Sequence, residues 1–191
     1  MSRRDAPFAV GVVGSSGVGK TSLLEELIPE LAERGLAVGV VKHASHGFDL
    51  DRPGKDSHRL YASGPAAVAL ASDDQVATLV RSEPAQRASL AGAMAGLPSD
   101  LDVVLVEGFA WEPIPRVVLV GSSETPRREH QERGPVLHII EVTQPRPGAK
   151  PVFARALVRE VAQAIVHRLR PRVVPDADVG APVVLSGSRC A

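Results

Sequence analysis

Gly14-Ser15-Ser16-Gly17-Val18-Gly19-Lys20-Thr21 decides how this chain is read. The apolar, β-branched stretch Phe8 to Val13 precedes it and reads as a buried strand. Behind it, Leu24, Leu27, Ile28 and Leu31 recur at helical spacing from about Lys20 to Arg34, and Gly35 gives a stop signal. Strand, glycine-rich turn and helix in that order are the context in which Gly-x4-Gly-Lys-Thr binds phosphate. Gly14, Gly17 and Gly19 let the backbone turn tightly and aim its amides at phosphate oxygens. The helix start adds a favourable dipole for anions. Lys20 is positioned to reach β- and γ-phosphates, Thr21 to ligate Mg²⁺ with its hydroxyl, and Ser22 to touch an α-phosphate.

Working outward, Leu36 to Val41, Val103 to Val106, Arg116 to Val120 and Leu137 to Val142 are short apolar runs of the kind buried on both faces of a parallel sheet. Further strands are expected at Ala66 to Ala71 and Val76 to Val80. Short helices are expected from Asp56 to Ser63 and over Ala85 to Ala95, with Asp56 as a cap. Pro29 is expected to kink the first long helix. Phe153 to Leu169 forms the second, through Phe153, Leu157, Val161, Ile165 and Leu169. Gly121 to Pro135 reads as an exposed, mobile loop. The alternation predicts an α/β class: a three-layer, P-loop NTPase-type fold with a mainly parallel sheet. Ligands in such folds sit at the carboxyl ends of strands, which puts Gly14, Lys42, Glu107 and the residues after Val142 on one rim.

The chain has 191 residues, enough for one domain over 1–170 and a flexible tail over 171–191. Its 22 basic and 22 acidic residues balance, so bulk charge argues for neither nucleic acid nor an anionic membrane as partner. Cys190 is the only cysteine and makes no internal disulfide. Ser2-Arg3-Arg4 resembles a twin-arginine export signal, but the apolar run behind it is too short and enters the phosphate loop. A cytoplasmic protein is expected. The chain has four lysines against 18 arginines, and Lys20, Lys42 and Lys55 fall within one short stretch.

The loop after the second strand, from Lys42-His43 through Asp49, Asp51, Pro53-Gly54 and Lys55 to Ser57, is dense in reactive groups. Asp49 and Asp51 are hard oxygen ligands, suited to holding Mg²⁺ or to orienting a water on a γ-phosphate. Lys42, His43, Lys55 and Arg59 suit a phosphate on a second, anionic substrate. A solvated charged loop with a Pro53-Gly54 turn reads equally well from spacing alone. Glu107 ends the third core strand where a phosphate-loop site takes its second acidic group, whereas Asp102 lies at the opposite end. The candidate catalytic groups are thus Asp49, Asp51 and Glu107, and the candidate metal ligands Thr21, Asp49 and Glu107. Trp111, the sole tryptophan, either caps the core or stacks on a ligand, and core packing is the favoured expectation.

Three stretches together resemble the molybdopterin-guanine dinucleotide biosynthesis protein B family, MobB. They are Gly14 to Thr21, then Lys42-His43 with Phe48-Asp49-Leu50-Asp51-Arg52-Pro53-Gly54-Lys55-Asp56-Ser57, and Leu105-Val106-Glu107-Gly108-Phe109. The resemblance implies a GTP-binding protein with weak GTPase activity that acts late in molybdenum cofactor maturation. It implies a homodimer that assists the guanylyltransferase MobA, with the loop after the second strand near the pterin phosphate of molybdopterin or at the dimer interface. Ala110 stands where the family often has lysine, and Ser63-Gly64-Pro65 where it often has Ala-Gly-Ala.

The chain lacks asparagine altogether, so it has no Asn-Lys-x-Asp motif to read guanine. Thr143 and Gln144 are the base-edge candidates by position. Two other readings stand beside the accessory GTPase: a small-molecule kinase with Asp49 or Asp51 as base, and a nickel metallochaperone using His43 and His46.

Overall fold

A computed structural model describes residues 6–45, 47–48, 52–81, 89–122, 124–143 and 150–169. Five parallel strands make the central sheet: β1 (Phe8–Gly14), β2 (Val38–Lys42), β5 (Val103–Glu107), β6 (Arg116–Gly121) and β7 (Val136–Val142), in the order β2-β5-β1-β6-β7. The register sets Gly11 beside Val106 and Lys42 beside Glu107, so the carboxyl ends of β1, β2 and β5 share one rim. β5 lies between two neighbours and buries all of Val103 to Val106. Burying one such side chain contributes about 1.5–3 kcal/mol.

Two apolar layers sandwich the sheet. On one face α1 (Lys20–Glu33) and α5 (Arg155–Arg168) press Leu23, Leu27, Leu31, Val161 and Ile165 onto Val10, Val12, Val103 and Leu105. α1 runs on through Pro29 without interruption. The other face is covered more thinly, by α3 (Leu90–Ala95) and by the β5–β6 connection: Leu90, Met94, Phe109 and Ile114 pack on Val41, Val104 and Val106. The α/β fold with a mainly parallel sheet is therefore as the sequence predicts.

Several local expectations change. β3 (Ala67–Ala71) and β4 (Val76–Val80) leave the main sheet and pair antiparallel with each other. Neither they nor the adjoining α2 (Asp56–Ala62) contain a buried residue. Asp56 is the first residue of α2 and not its cap, which is Lys55. Of the helix expected over 85–95, residues 85–88 lie outside the described residues, and α3 runs from Leu90 with the Ser89 hydroxyl accepting from the Gly92 amide at 3.0 Å as its cap. Within the expected loop 121–135, α4 (Arg128–Glu132) forms and buries His130. The tail expected over 171–191 lies outside the described residues. Among those described, no helix is long and apolar enough to cross a membrane.

Candidate functional site

The loop from Gly14 to Gly19 joins the end of β1 to α1, whose first residue is Lys20. Gly19 has a left-handed φ of 104°, and a Cβ there would lie 2.3 Å from Cγ of Pro151. Only glycine lets the segment after β7 close on the loop. Val18 turns its side chain into the core, so its contribution to a ligand is its backbone amide. Ser16 and Gly17 are exposed at the loop tip, and Ser22 is half-buried one turn into the helix.

The Lys20 ammonium lies back across the loop and donates to the carbonyls of Gly14 at 3.1 Å and Ser15 at 2.8 Å. Burial pushes its pKa below the usual lysine value; Glu107 opposes that shift and Lys42 adds to it. A triphosphate would relieve the strain on this cation by supplying negative charge.

Glu107 is the hub beside the loop. Its Oε2 accepts from the Thr21 hydroxyl at 2.9 Å, and Lys42 Nζ stands 3.2 Å from Oε1 and 3.3 Å from Oε2. Lys42 Nζ also lies 3.5 Å from the Thr21 hydroxyl. Thr21 is exposed and Glu107 half-buried, so the pair of oxygens faces the mouth of the loop. Two hard oxygens at hydrogen-bond distance fit Mg²⁺, which keeps several waters and takes its other ligands from phosphates. Asp102, by contrast, ties the Ala37 amide at 2.8 Å at the far end of the strand, as its position in sequence implied.

His43 follows β2 and donates its amide to the Glu107 carbonyl at 2.8 Å. Its ring meets Phe109 at 4.9 Å and Trp111 at 5.1 Å, both edge to face, and Phe109 meets Trp111 at 5.4 Å. Gly108 between them has φ 90°, and a Cβ there would stand 2.7 Å from that of His43. Trp111 is not the core residue expected, for it remains 49% exposed.

Lys55 is exposed, as the residue that precedes the first residue of α2. Arg59 pairs with Asp56 on the same helix. Asp49, Asp51, His46 and Gln144 lie outside the described residues, and Thr143 is exposed past the end of β7. Among the described residues no three His, Cys, Asp or Glu side chains converge as a metal-ion cage.

Sequence reasoning missed two residues. Glu124 accepts from the Ser15 hydroxyl at 2.7 Å and so borders the phosphate loop. Arg116 opens β6 as a fully buried guanidinium bonded to backbone carbonyls of the β5–β6 connection. A cation at the head of an apolar strand was the one visible signal for the second; one acidic residue in a polar loop gave none for the first.

Residues 9–142 match the family model described as molybdopterin guanine dinucleotide synthesis protein B. The chain is 44% identical over 111 residues to a molybdopterin-guanine dinucleotide biosynthesis adapter protein of Haemophilus influenzae. That match covers 58% of this chain and 61% of the relative, a little under two thirds of its length. The protein of the same description from Escherichia coli is 37% identical over 135 residues, covering 69% of this chain and 75% of that one. A crystal structure of molybdopterin-guanine biosynthesis protein B superposes with a TM-score of 0.63 at 33% identity, over 85% of this chain and 99% of the other. The crystal structure of a MobB homologue from Bacillus stearothermophilus does so with 0.57 at 30% identity, over 86% and 99%.

Proposed function

The chain belongs to the molybdopterin guanine dinucleotide synthesis protein B family, and from that premise we propose that it is a GTP-binding adapter in molybdenum cofactor maturation. In this reading it presents nucleotide and molybdopterin to a MobA-like guanylyltransferase in the cytoplasm. The observation that carries it is the convergence of Lys20, Thr21, Lys42 and Glu107 at the ends of β1, β2 and β5. Lys20 turns from the Gly14 and Ser15 carbonyls to the β- and γ-phosphates, and the loop amides take the remaining oxygens. Thr21 and Glu107 would hold Mg²⁺, with Asp49 as the further candidate ligand from the sequence, and the ion would supply charge to neutralise the phosphates. Lys42 then exchanges Glu107 for the phosphate of the second ligand, with His43 and Lys55 on the same loop. Asp49, Asp51 and Glu107 are the groups available to orient water for slow hydrolysis.

A homodimer accords with α2, β3 and β4. This excursion buries none of its own residues and exposes Leu60, Val76 and Val80, which a second copy would cover. The kinase and nickel-carrier alternatives find no support in the family, whose relatives carry the description of adapters.

The test is a titration with GTP and ATP, with and without Mg²⁺, on the wild type and Lys20→Ala. GTP binding that needs Mg²⁺ and is lost in the variant supports the site. The adapter role is tested by adding the protein to a guanylyltransferase supplied with molybdopterin and GTP. No gain in dinucleotide formation would overturn it.

A further inference from the structure

The chain has only six aromatic residues of the Phe, Trp and Tyr type. Two of them, Phe109 and Trp111, gather with His43 on the rim beside Lys42 and Glu107. Phe109 is buried and anchors the group; Trp111 stays half exposed. An exposed tryptophan alone says little. This one, however, is held in place by two separate devices.

The first is Arg116. Its guanidinium, 1% exposed, donates to the carbonyls of Ala110 at 3.0 Å, of Glu112 and of Ile114 at 3.3 Å. Ala110 and Glu112 flank Trp111, so the clasp grips the backbone on either side of the indole. Burying a cation against carbonyls is costly, and the return is a rigid loop. The second device is backbone strain. Phe109 has φ 49°, the one non-glycine residue with positive φ among the described residues. Such conformations persist where the surroundings over-determine them, and they cluster at ligand clamps.

We propose that Trp111 is the stacking face of a second site, next to the phosphate loop, for a planar heterocycle carrying a phosphate group. Lys42 receives the phosphate and the His43–Phe109 pair backs the indole. Trp111 follows β5, whose neighbour away from β1 is β2, whereas Pro151, which follows β7 in sequence, is the residue a Cβ on Gly19 of the loop would meet. The proposal takes the nucleotide held by Lys20 and the heterocycle on Trp111 as distinct ligands. This inference deepens the proposed function and rests on its reading of Gly14 to Thr21 as the GTP site and of Lys42 and His43 as the place of the second phosphorylated ligand. A pterin and a purine share the required chemistry, and the experiment separates them.

The full chain, saturated with a non-hydrolysable GTP analogue and Mg²⁺, is titrated calorimetrically with a 6-substituted pterin monophosphate, with GMP and with inorganic phosphate. Wild type, Trp111→Phe and Trp111→Ala are compared. Stacking on an aromatic ring predicts that Trp111→Ala weakens the heterocycle about tenfold or more while Trp111→Phe keeps most of the affinity. Inorganic phosphate and the GTP analogue should bind all three alike, and the sole tryptophan should report the heterocycle by fluorescence. Loss confined to the pterin arm identifies a pterin site; loss confined to the GMP arm identifies a purine site. Trp111→Ala binding both as tightly as wild type overturns the proposal, as does wild type binding neither at millimolar concentration. So does a tryptophan signal that follows protein concentration, with Trp111→Ala halving the mass in solution, because the face would then be a contact between copies. If the GTP analogue itself fails to bind wild type, the phosphate-loop reading falls instead.

Discussion

Replacing Glu107 by glutamine should separate stability from metal-dependent binding. The substitution keeps an oxygen to accept the Thr21 hydroxyl, now at 2.9 Å, and removes only the charge that faces Lys42 at 3.2 Å. The lysine partner of that ion pair is 55% exposed, so the pair contributes about 0.5–1 kcal/mol at most. For a chain of this size that is a fall in Tm of roughly 1–4 °C. Ligand binding should respond far more. If Glu107 holds Mg²⁺ as proposed, the site then loses a charged ligand, and GTP affinity in Mg²⁺ should fall by about tenfold or more. In EDTA the sign reverses. Glu107 repels a bare triphosphate and occupies Lys42, so the variant should bind metal-free GTP more tightly than wild type does. Calorimetric titrations in Mg²⁺ and in EDTA measure both arms. A variant with the wild-type ratio between the two conditions would refute the assignment of Glu107 to the metal.

Three further outcomes are expected. Gly108→Ala forces φ 90° on an alanine and brings its Cβ to 2.7 Å from that of His43, so urea denaturation should show a loss of about 1–3 kcal/mol. Lys20 titrates below 10.5 in the folded chain, so the unfolded chain holds that proton to higher pH. Ligand-free stability should therefore gain a favourable contribution as pH rises from the lowered pKa toward 10.5, and Lys20→Met should remove that gain in thermal melts compared across the range. Leu60→Asp combined with Val80→Asp should halve the mass seen by light scattering if the α2–β3–β4 excursion joins two copies, and an unchanged mass would exclude that face.

The central fold was legible because its signals are local. Val103 to Val106 is an unbroken apolar run, and only a strand with neighbours on both sides buries all of it. Gly14 to Thr21 carries its own strand-turn-helix context. What escaped was tertiary. Nothing in Ala67 to Ala71 says that it joins Val76 to Val80 outside the main sheet, since a five-residue apolar run suits either place. For Trp111 the sequence leaves core packing and ligand stacking both open, because what holds it is tertiary: Arg116 grips the carbonyls on each side of it. Glu124 meets Ser15 across 109 residues of chain, a contact that no periodicity encodes.

Glu107 explains why one strand end serves two tasks. Its side chain joins Thr21 of the phosphate loop to Lys42, and its carbonyl accepts the amide of His43, against which Trp111 rests. Any change at the carboxylate therefore reaches both sides of the rim without a long relay. When Lys42 leaves Glu107 for an anion, the carboxylate becomes available to a metal; when a metal takes the carboxylate, Lys42 becomes available to an anion. Each event lowers the cost of the other, and linkage requires the effect to be reciprocal. Under the proposed function, in which nucleotide and a second phosphorylated ligand are held together, that coupling would matter more than fast hydrolysis. A double-mutant cycle on Lys42 and Glu107, read as affinity for each ligand with the other present, measures it: a vanishing interaction energy would mean that the two halves of the rim act independently.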